Sequence, residues 1–381
     1  MHSQSDYNRL NLLSRRAEEV MNQGDFDAAR RFATEMFSLD PNNLAGFLVY
    51  TNSGRMSADD PVTQRLLAIG DGKALDRPIR TMILFLQGKA LDDLGDHKAA
   101  FDKFVLANST YRGQTDHKAT RKRVTQVLRN PPAHRDPLPP TKPRMVFVLG
   151  MPRSGTSLTT QILSAHSGIV SVGEQTSLAL AVNKPRGIPN PQTVAAFATA
   201  DLEQMRQDYF KRLPQDAVAQ GLEGKILVDK LPGNYWSAFA IPILFPDALI
   251  IHSHRDKLAS CWSCFRNHFG TGHDYAYDFK DTLSQFDLHL KLCETWKTYA
   301  ASGQWTDMQF EDVVGRTRET IEPVLNKLGL DWEEACLNPS AAKTEMNTIS
   351  RWQVRQGIKP SIAQAWKVYE PLIRAKWNLR G

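Results

Sequence analysis

Apolar residues recur at three- and four-residue spacing through residues 8–112, with few strand signals, and this pattern predicts helices throughout that stretch. Further along the pattern changes. Met145 to Leu149 is a compact apolar, β-favouring run, which predicts a buried strand covered on both faces. Ile169 to Val172, Ile226 to Val228, Ala248 to Ile251 and Met308 to Phe310 are further strand candidates separated by helical pattern. Strands alternating with helices imply an α/β fold built on a doubly wound parallel sheet.

Within the helical stretch two segments resemble each other. Ala17-Glu-Glu-Val-Met-Asn-Gln-Gly24-Asp-Phe-Asp-Ala28-Ala29 parallels Ala90-Leu-Asp-Asp-Leu-Gly95-Asp-His-Lys-Ala99-Ala100-Phe101, and their glycines are separated by about two periods of the tetratricopeptide repeat. Small residues let paired helices approach, and the Gly-Asp turn separates them. Residues 1–112 therefore read as about three tetratricopeptide-like helical hairpins, the middle one degenerate, with an irregular helical domain as the alternative. Residues 113–143 read as a connector: Pro131, Pro132, Pro137, Pro139, Pro140 and Pro143 are too many for a helix or a central strand. Residues 144–381 form the α/β unit.

Composition narrows the class. At 381 residues, 41% hydrophobic and 23% charged, the chain has ordinary globular usage, which excludes disorder and a disulfide scaffold. The net charge of +6 is local: basic and acidic residues number 14 and 15 in 1–112, 8 and 2 in 113–144, and 25 and 24 in 145–381. A basic stripe suited to a nucleic-acid duplex is thus not visible. Four cysteines (Cys261, Cys264, Cys293, Cys336) are too few for a stapled secreted chain, and Met1-His-Ser-Gln-Ser-Asp6 holds no apolar targeting run. The longest largely apolar stretch, Trp236 to Phe245, is about half a membrane span. A soluble, cytoplasmic protein is expected.

The strongest chemical signal is Val148-Leu-Gly150-Met-Pro152-Arg153-Ser154-Gly155-Thr156-Ser157-Leu158, a Gly-rich turn between the first strand and a helix. Backbone N–H groups of such a turn, with the unsatisfied donors of the helix N-terminus, cradle a phosphate-like anion. Gly150 and Gly155 have the spacing of the nucleotide-triphosphatase loop, yet Thr156 stands where that loop has lysine, which argues against an ATP or GTP hydrolase. Arg153 supplies positive charge from within the loop instead. A second signal is Ile251-His-Ser-His254-Arg255-Asp-Lys257, leaving a strand at the end where open α/β sheets bind ligands. Ser263, roughly two helical turns on, lies where its hydroxyl and Arg255 grip one further phosphate.

With these residues the sequence resembles the sulfotransferases that use 3′-phosphoadenosine 5′-phosphosulfate (PAPS), specifically the bacterial tetratricopeptide-repeat sulfotransferases related to tyrosylprotein sulfotransferases. The resemblance covers 144–381 and, through the repeat and connector, most of the chain. It implies a P-loop-like sulfotransferase fold. It also implies that Pro152, Arg153, Ser154, Gly155, Thr156 and Ser157 bind the 5′-phosphosulfate and that Arg255 and Ser263 bind the 3′-phosphate. Phe310-Glu-Asp-Val313, Leu328-Gly-Leu-Asp-Trp332 and Gln353-Val-Arg-Gln356, then Lys359 and Trp366, are the downstream matches. Ser350, Arg355 and Lys359 match a segment that closes over the nucleotide in that family. Lys257 departs from the proline usual after Arg-Asp.

By the same resemblance Lys230 contacts the transferring sulfuryl group, Arg153 supports it, and Gly173-Glu174-Gln175-Thr176 borders the cleft. The tyrosylprotein enzymes carry a second glutamate as base where this chain has Gln175. An amide is a poor base near neutral pH, so either Glu174 takes the proton or the acceptor differs. No metal is expected: no ligand cluster is evident in the sequence, and His252 and His254 are read as facing opposite sides of their strand. Cys261-Trp-Ser-Cys264 lies within a helix and reads as packing, and Trp332, Trp352 and Trp366 read as core or rim anchors. The expected enzyme transfers sulfate from PAPS, releasing 3′-phosphoadenosine 5′-phosphate. Its acceptor is a protein tyrosine, peptide, carbohydrate or small metabolite, the repeats favouring a protein-linked one. The alternatives are a nucleotide-dependent kinase or triphosphatase, and a nucleotide-binding repeat scaffold without turnover.

Overall fold

The structure is a computed structural model that describes residues 4–111, 117–131, 133–182, 197–270, 272–339, 352 and 355–380. It begins with six helices: α1 (Gln4–Gln23), α2 (Phe26–Leu39), α3 (Leu44–Asn52), α4 (Pro61–Ala68), α5 (Arg77–Asp93) and α6 (His97–Thr110). The pairs α1/α2 and α5/α6 are hairpins with the same turn. Gly24 and Gly95 adopt φ of +90° and +84°, which a side chain resists, and the following aspartates cap the next helix. Asp25 accepts from the Ala28 N–H at 2.8 Å and Asp96 from the Ala99 N–H at 3.0 Å. The short helices α3 and α4 lie between the two hairpins.

The connector contains a helix that proline counting did not foresee, α7 (His117–Arg129). All six prolines of 113–143 lie after it, so the reading of a broken chain holds only for the connector's second half.

Five parallel strands follow: β1 (Met145–Gly150), β2 (Ile169–Gly173), β3 (Ile226–Lys230), β4 (Leu249–His254) and β5 (Trp305–Gln309), in the order β2-β3-β1-β4-β5. Each overlaps a strand expected from the sequence, but β5 begins three residues before the expected Met308, and Phe310, expected in that strand, opens the helix Phe310–Gly315. Strand β1 is wholly buried, and its alternate residues enter two cores. Met145, Phe147 and Leu149 join Leu227 and Ile250 on one face; Val146 and Val148 join Val228 and Ile251 on the other. Register places Val148 beside Lys230 and Gly150 beside Ser253, so the strands end together at one edge.

A third core joins the helical region to this unit. Leu84, Phe85, Phe101 and Phe104 pack with Met151, Trp262, Phe265, Trp366 and Tyr369, and the rings of Phe101 and Trp262 stack with centroids 5.3 Å apart. Hydrophobic burial at this seam holds α5 and α6 against the helix that follows β4. Among the described residues no helix is long and apolar enough to cross a membrane.

Candidate active site

The carboxyl ends of β1, β3 and β4 form an edge, and the loop after β1 shapes it. Gly150 has no alternative: a Cβ there would collide with the Ser253 carbonyl of β4. Gly155 opens α8 (Thr156–Ser164) at φ +102°, and a Cβ on it would stand 2.5 Å from the Phe310 ring. Glycine has no side chain to cap with, so the N-cap position offers no acceptor to the first N–H groups of α8. Ser154 Oγ is buried and has no hydrogen-bond partner among the described residues. The donors and dipole of such a helix start favour an anion.

Arg153 sits at φ +69°, a left-handed conformation that costs a non-glycine residue about 1–2 kcal/mol. That turn carries its guanidinium to the helix Lys257–Phe265, where Nε donates to Ser263 Oγ at 3.0 Å. Burial lowers Arg153 to about 10, and the charges of Arg266 and Arg255 push the same way while Cys264 opposes. Arg255 Nη2 donates to the Ile362 carbonyl at 3.2 Å, and its guanidinium lies 4.7 Å over the Phe310 ring. Its pKa is lowered, by burial first, with Glu311 opposing and Arg266 adding to the shift. Three arginines thus crowd one region, with Arg266 paired to Asp92 at 3.1 Å and Arg255 Nε 3.9 Å from a Glu311 oxygen, and their mutual repulsion favours a further anion among them.

At the end of β3, Lys230 is buried to 5% exposure. Its ammonium pairs with the Glu174 carboxylate just past β2 and donates to Ser157 Oγ at 3.3 Å. Burial lowers the Lys230 pKa, and Glu174 opposes the shift. Gln175 is occupied elsewhere: its Nε2 donates to the Val172 carbonyl at 2.8 Å, which fixes the turn out of β2.

The structure therefore brings together Arg153, Ser154, Gly155, Thr156, Ser157, Lys230, Glu174, Arg255 and Ser263 at one edge, with Pro152 bonded through its carbonyl to Cys264 Sγ at 3.3 Å. Lys359 is exposed, its carbonyl accepting from the Ile362 N–H at 3.1 Å, so its segment adjoins Arg255. Arg355 lies farther along the chain's own surface: a Cβ on Gly24, in the turn between α1 and α2, would stand 2.5 Å from its guanidinium. Ser350 lies outside the described residues.

Two residues beside the site escaped the sequence reading. Asp229 is fully buried next to Lys230, accepting from Tyr209 Oη at 2.8 Å and Asn234 Nδ2 at 3.2 Å. Burial raises it to about 7, with both hydrogen bonds and Lys230 opposing. The signal was an acid inside the apolar run Ile226-Leu-Val-Asp-Lys230. Arg266 pairs with Asp92 of α5 at 3.1 Å, and Asp92 also accepts from Tyr369 Oη; nothing in local sequence links those partners.

One expectation is corrected. Residues two apart on a strand share a face, and the His252 and His254 rings stand on the same side with centroids 5.5 Å apart. Cys261 and Cys264 are buried free thiols, as packing required.

A parallel sheet with an arginine-rich, loop-lined carboxyl edge defines a P-loop-like α/β transferase unit. The chain belongs to the sulfotransferase family, whose sequence profile matches residues 143–334. It is 26% identical over 380 residues to an uncharacterized protein of Aquifex aeolicus (strain VF5), covering 95% of this chain and 49% of that protein. It is 23% identical over 206 residues to protein-tyrosine sulfotransferase 2 of Gallus gallus, covering 51% of this chain and 53% of that one. The chain spans about half the length of these curated relatives. Among solved structures, the sulfotransferase domain from the Synechococcus PCC 7002 olefin synthase is similar at 20% identity, covering 62% of this chain and 90% of that domain with a TM-score of 0.45.

Proposed function

We propose that this chain transfers a sulfuryl group from PAPS to an acceptor hydroxyl, the protein-linked hydroxyl of a tyrosine being the favoured acceptor. The hydrogen bond from Arg153 to Ser263 carries the reading, because it ties the loop after β1 to the helix after β4. A nucleotide with anions at both its 5′ and 3′ positions fits that pairing. The donor set agrees: a helix start whose N-cap glycine offers no side-chain acceptor, a buried Ser154 hydroxyl without a hydrogen-bond partner among the described residues, and the Arg153 guanidinium with Arg255 and Arg266 close by, all suit an anion.

In this reading residues 152–157 hold the 5′ end and Arg255 with Ser263 hold the 3′-phosphate. Ser263 Oγ spends a lone pair on Arg153 and keeps its own proton to donate to an anion. When bound, PAPS supplies the activated sulfuryl group. Lys230, kept dry and oriented by Glu174 and Ser157, presents positive charge where negative charge grows as the bond to the nucleotide breaks. Glu174 receives the acceptor's proton at Oε2 while Oε1 keeps Lys230 in place. Gln175, bonded to the Val172 carbonyl, positions the turn and takes no proton. Residues 1–112 act as a tetratricopeptide-like unit that presents the acceptor, with 113–143 as connector and 144–381 as the transferase. Protein-tyrosine sulfotransferase 2 among the similar proteins supports a tyrosine acceptor.

Calorimetry with 3′-phosphoadenosine 5′-phosphate, ATP and adenosine 5′-phosphate tests the reading. The bisphosphate is expected to bind at least roughly tenfold more tightly than adenosine 5′-phosphate, one charge-assisted contact being worth about that much. ATP binding as tightly as the bisphosphate would instead favour the kinase-like alternative.

A further inference from the structure

On the face of β4 that packs against the long helix Phe279–Lys297, three side chains converge that the reaction above does not use. His252 Nε2 and His289 Nε2 stand 3.1 Å apart, and Cys293 Sγ joins them with all three atoms within 4.8 Å of one another. Their exposures are 3%, 0% and 2%, so they are shut off from bulk solvent. His289 and Cys293 are one helical turn apart on a single face, and His252 comes from the neighbouring strand.

The protonation pattern follows from their surroundings. Asp307 Oδ1 lies 2.9 Å from His252 Nδ1 and 3.0 Å from Trp305 Nε1, and Lys297 Nζ lies 2.5 Å from Oδ2. An ionised carboxylate only accepts, so the His252 proton sits on Nδ1 and its Nε2 lone pair is turned to His289. The Nδ1 of His289 is buried without a hydrogen-bond partner among the described residues. That nitrogen stays unpartnered whether Nε2 holds a hydrogen bond or a cation, but a simple hydrogen bond between the two rings would give the buried thiol nothing to do.

We propose that His252, His289 and Cys293 bind a zinc-like divalent cation. Zinc–nitrogen bonds of about 2.0–2.1 Å across a tetrahedral angle put two imidazole nitrogens roughly 3.3–3.4 Å apart, close to the separation present here. Two imidazoles and a thiolate suit zinc and exclude magnesium and calcium, which need oxygen donors. Binding releases the Cys293 proton to solvent. The cation's two positive charges then face the thiolate, and the Asp307 carboxylate, shared with Lys297 Nζ at 2.5 Å, stands behind His252. Asp307 is the carboxylate that orients a liganding histidine. Among the described residues no fourth protein donor joins them, so a water completes the tetrahedron. The cation would pin the helix Phe279–Lys297 to β4, the strand that ends at Arg255.

The untagged full chain, produced with zinc supplied during expression because the site is closed, is measured for metal by mass spectrometry. A second sample is folded with cobalt(II). One zinc per chain that survives desalting is expected, together with tetrahedral cobalt bands and a thiolate-to-cobalt charge-transfer band. Cys293→Ser is expected to abolish the charge-transfer band, and Asp307→Asn to weaken zinc roughly 10- to 100-fold in competition with a chelating dye. A folded chain without zinc and without cobalt uptake overturns the proposal. So does a cobalt spectrum that lacks the thiolate band or keeps it in Cys293→Ser. If that variant does not fold, the unaltered chain's zinc content and cobalt spectrum decide alone.

Discussion

Arg153 Nε reaches Ser263 Oγ across 3.0 Å although the two residues are 110 apart in sequence. The bond couples the loop after β1 to the helix after β4, the two segments proposed to hold the nucleotide's anions, and Arg255 enters from the end of β4. A nucleotide that carries a 3′-phosphate should feel the loss of any one of these groups. Arg255→Ala is expected to weaken 3′-phosphoadenosine 5′-phosphate by about 1.5–3 kcal/mol while leaving adenosine 5′-phosphate within a few tenths. Calorimetry with both ligands separates the cases, and equal losses would remove Arg255 from the 3′ site.

In the proposed reaction Glu174 is the residue on which the chemical step turns. Glu174→Gln should keep nucleotide affinity and lower the single-turnover rate by roughly 10² to 10⁴, the scale of a positioned base. The melting temperature of the same variant is measured alongside. A folded variant with an unchanged rate would place the base elsewhere, and His273, whose pKa burial lowers while Glu174 opposes, is the next group to test.

Asp229 makes stability depend on pH in an unusual direction. Its folded pKa is raised to about 7 from an unfolded value of 3.8, so the folded chain binds the extra proton between those limits. Stability from this group is present below about pH 4 and is lost as pH rises to about 7. Asp229→Asn should therefore gain stability relative to the unaltered chain between pH 5 and 8, by on the order of 2 kcal/mol. Thermal melts of both chains across that range check it; a constant difference would show that Asp229 is ionised throughout.

Gly155→Ala should weaken nucleotide binding and lower stability by about 1–3 kcal/mol, since alanine resists φ +102° and its Cβ meets Phe310. Phe310→Ala in the same chain relieves the contact and not the backbone conformation, so partial recovery is expected. Full recovery would assign the whole effect to the ring.

Transfer is expected to run without added magnesium, because Arg153, Lys230 and the start of α8 already supply positive potential to a group less charged than a phosphoryl. Turnover abolished by chelator and restored by magnesium would favour the kinase-like chemistry.

The sequence by itself determined the layers and the Gly-rich loop after β1. Both are written in short-range pattern: runs such as Met145–Leu149 that must be buried, glycines where no side chain fits, and a strand, turn and helix in immediate succession. Proline spacing likewise placed the irregular second half of the connector, though it hid α7 just upstream. Tertiary structure alone decided what depends on separate segments meeting. Local pattern carries no record of Arg266 finding Asp92 in α5, of Arg355 settling beside Gly24, or of His289 and Cys293 facing His252. The strand order β2-β3-β1-β4-β5 brings the ends of β1, β3 and β4 side by side, and that packing, made by burial of two apolar faces, turns scattered cations into one site.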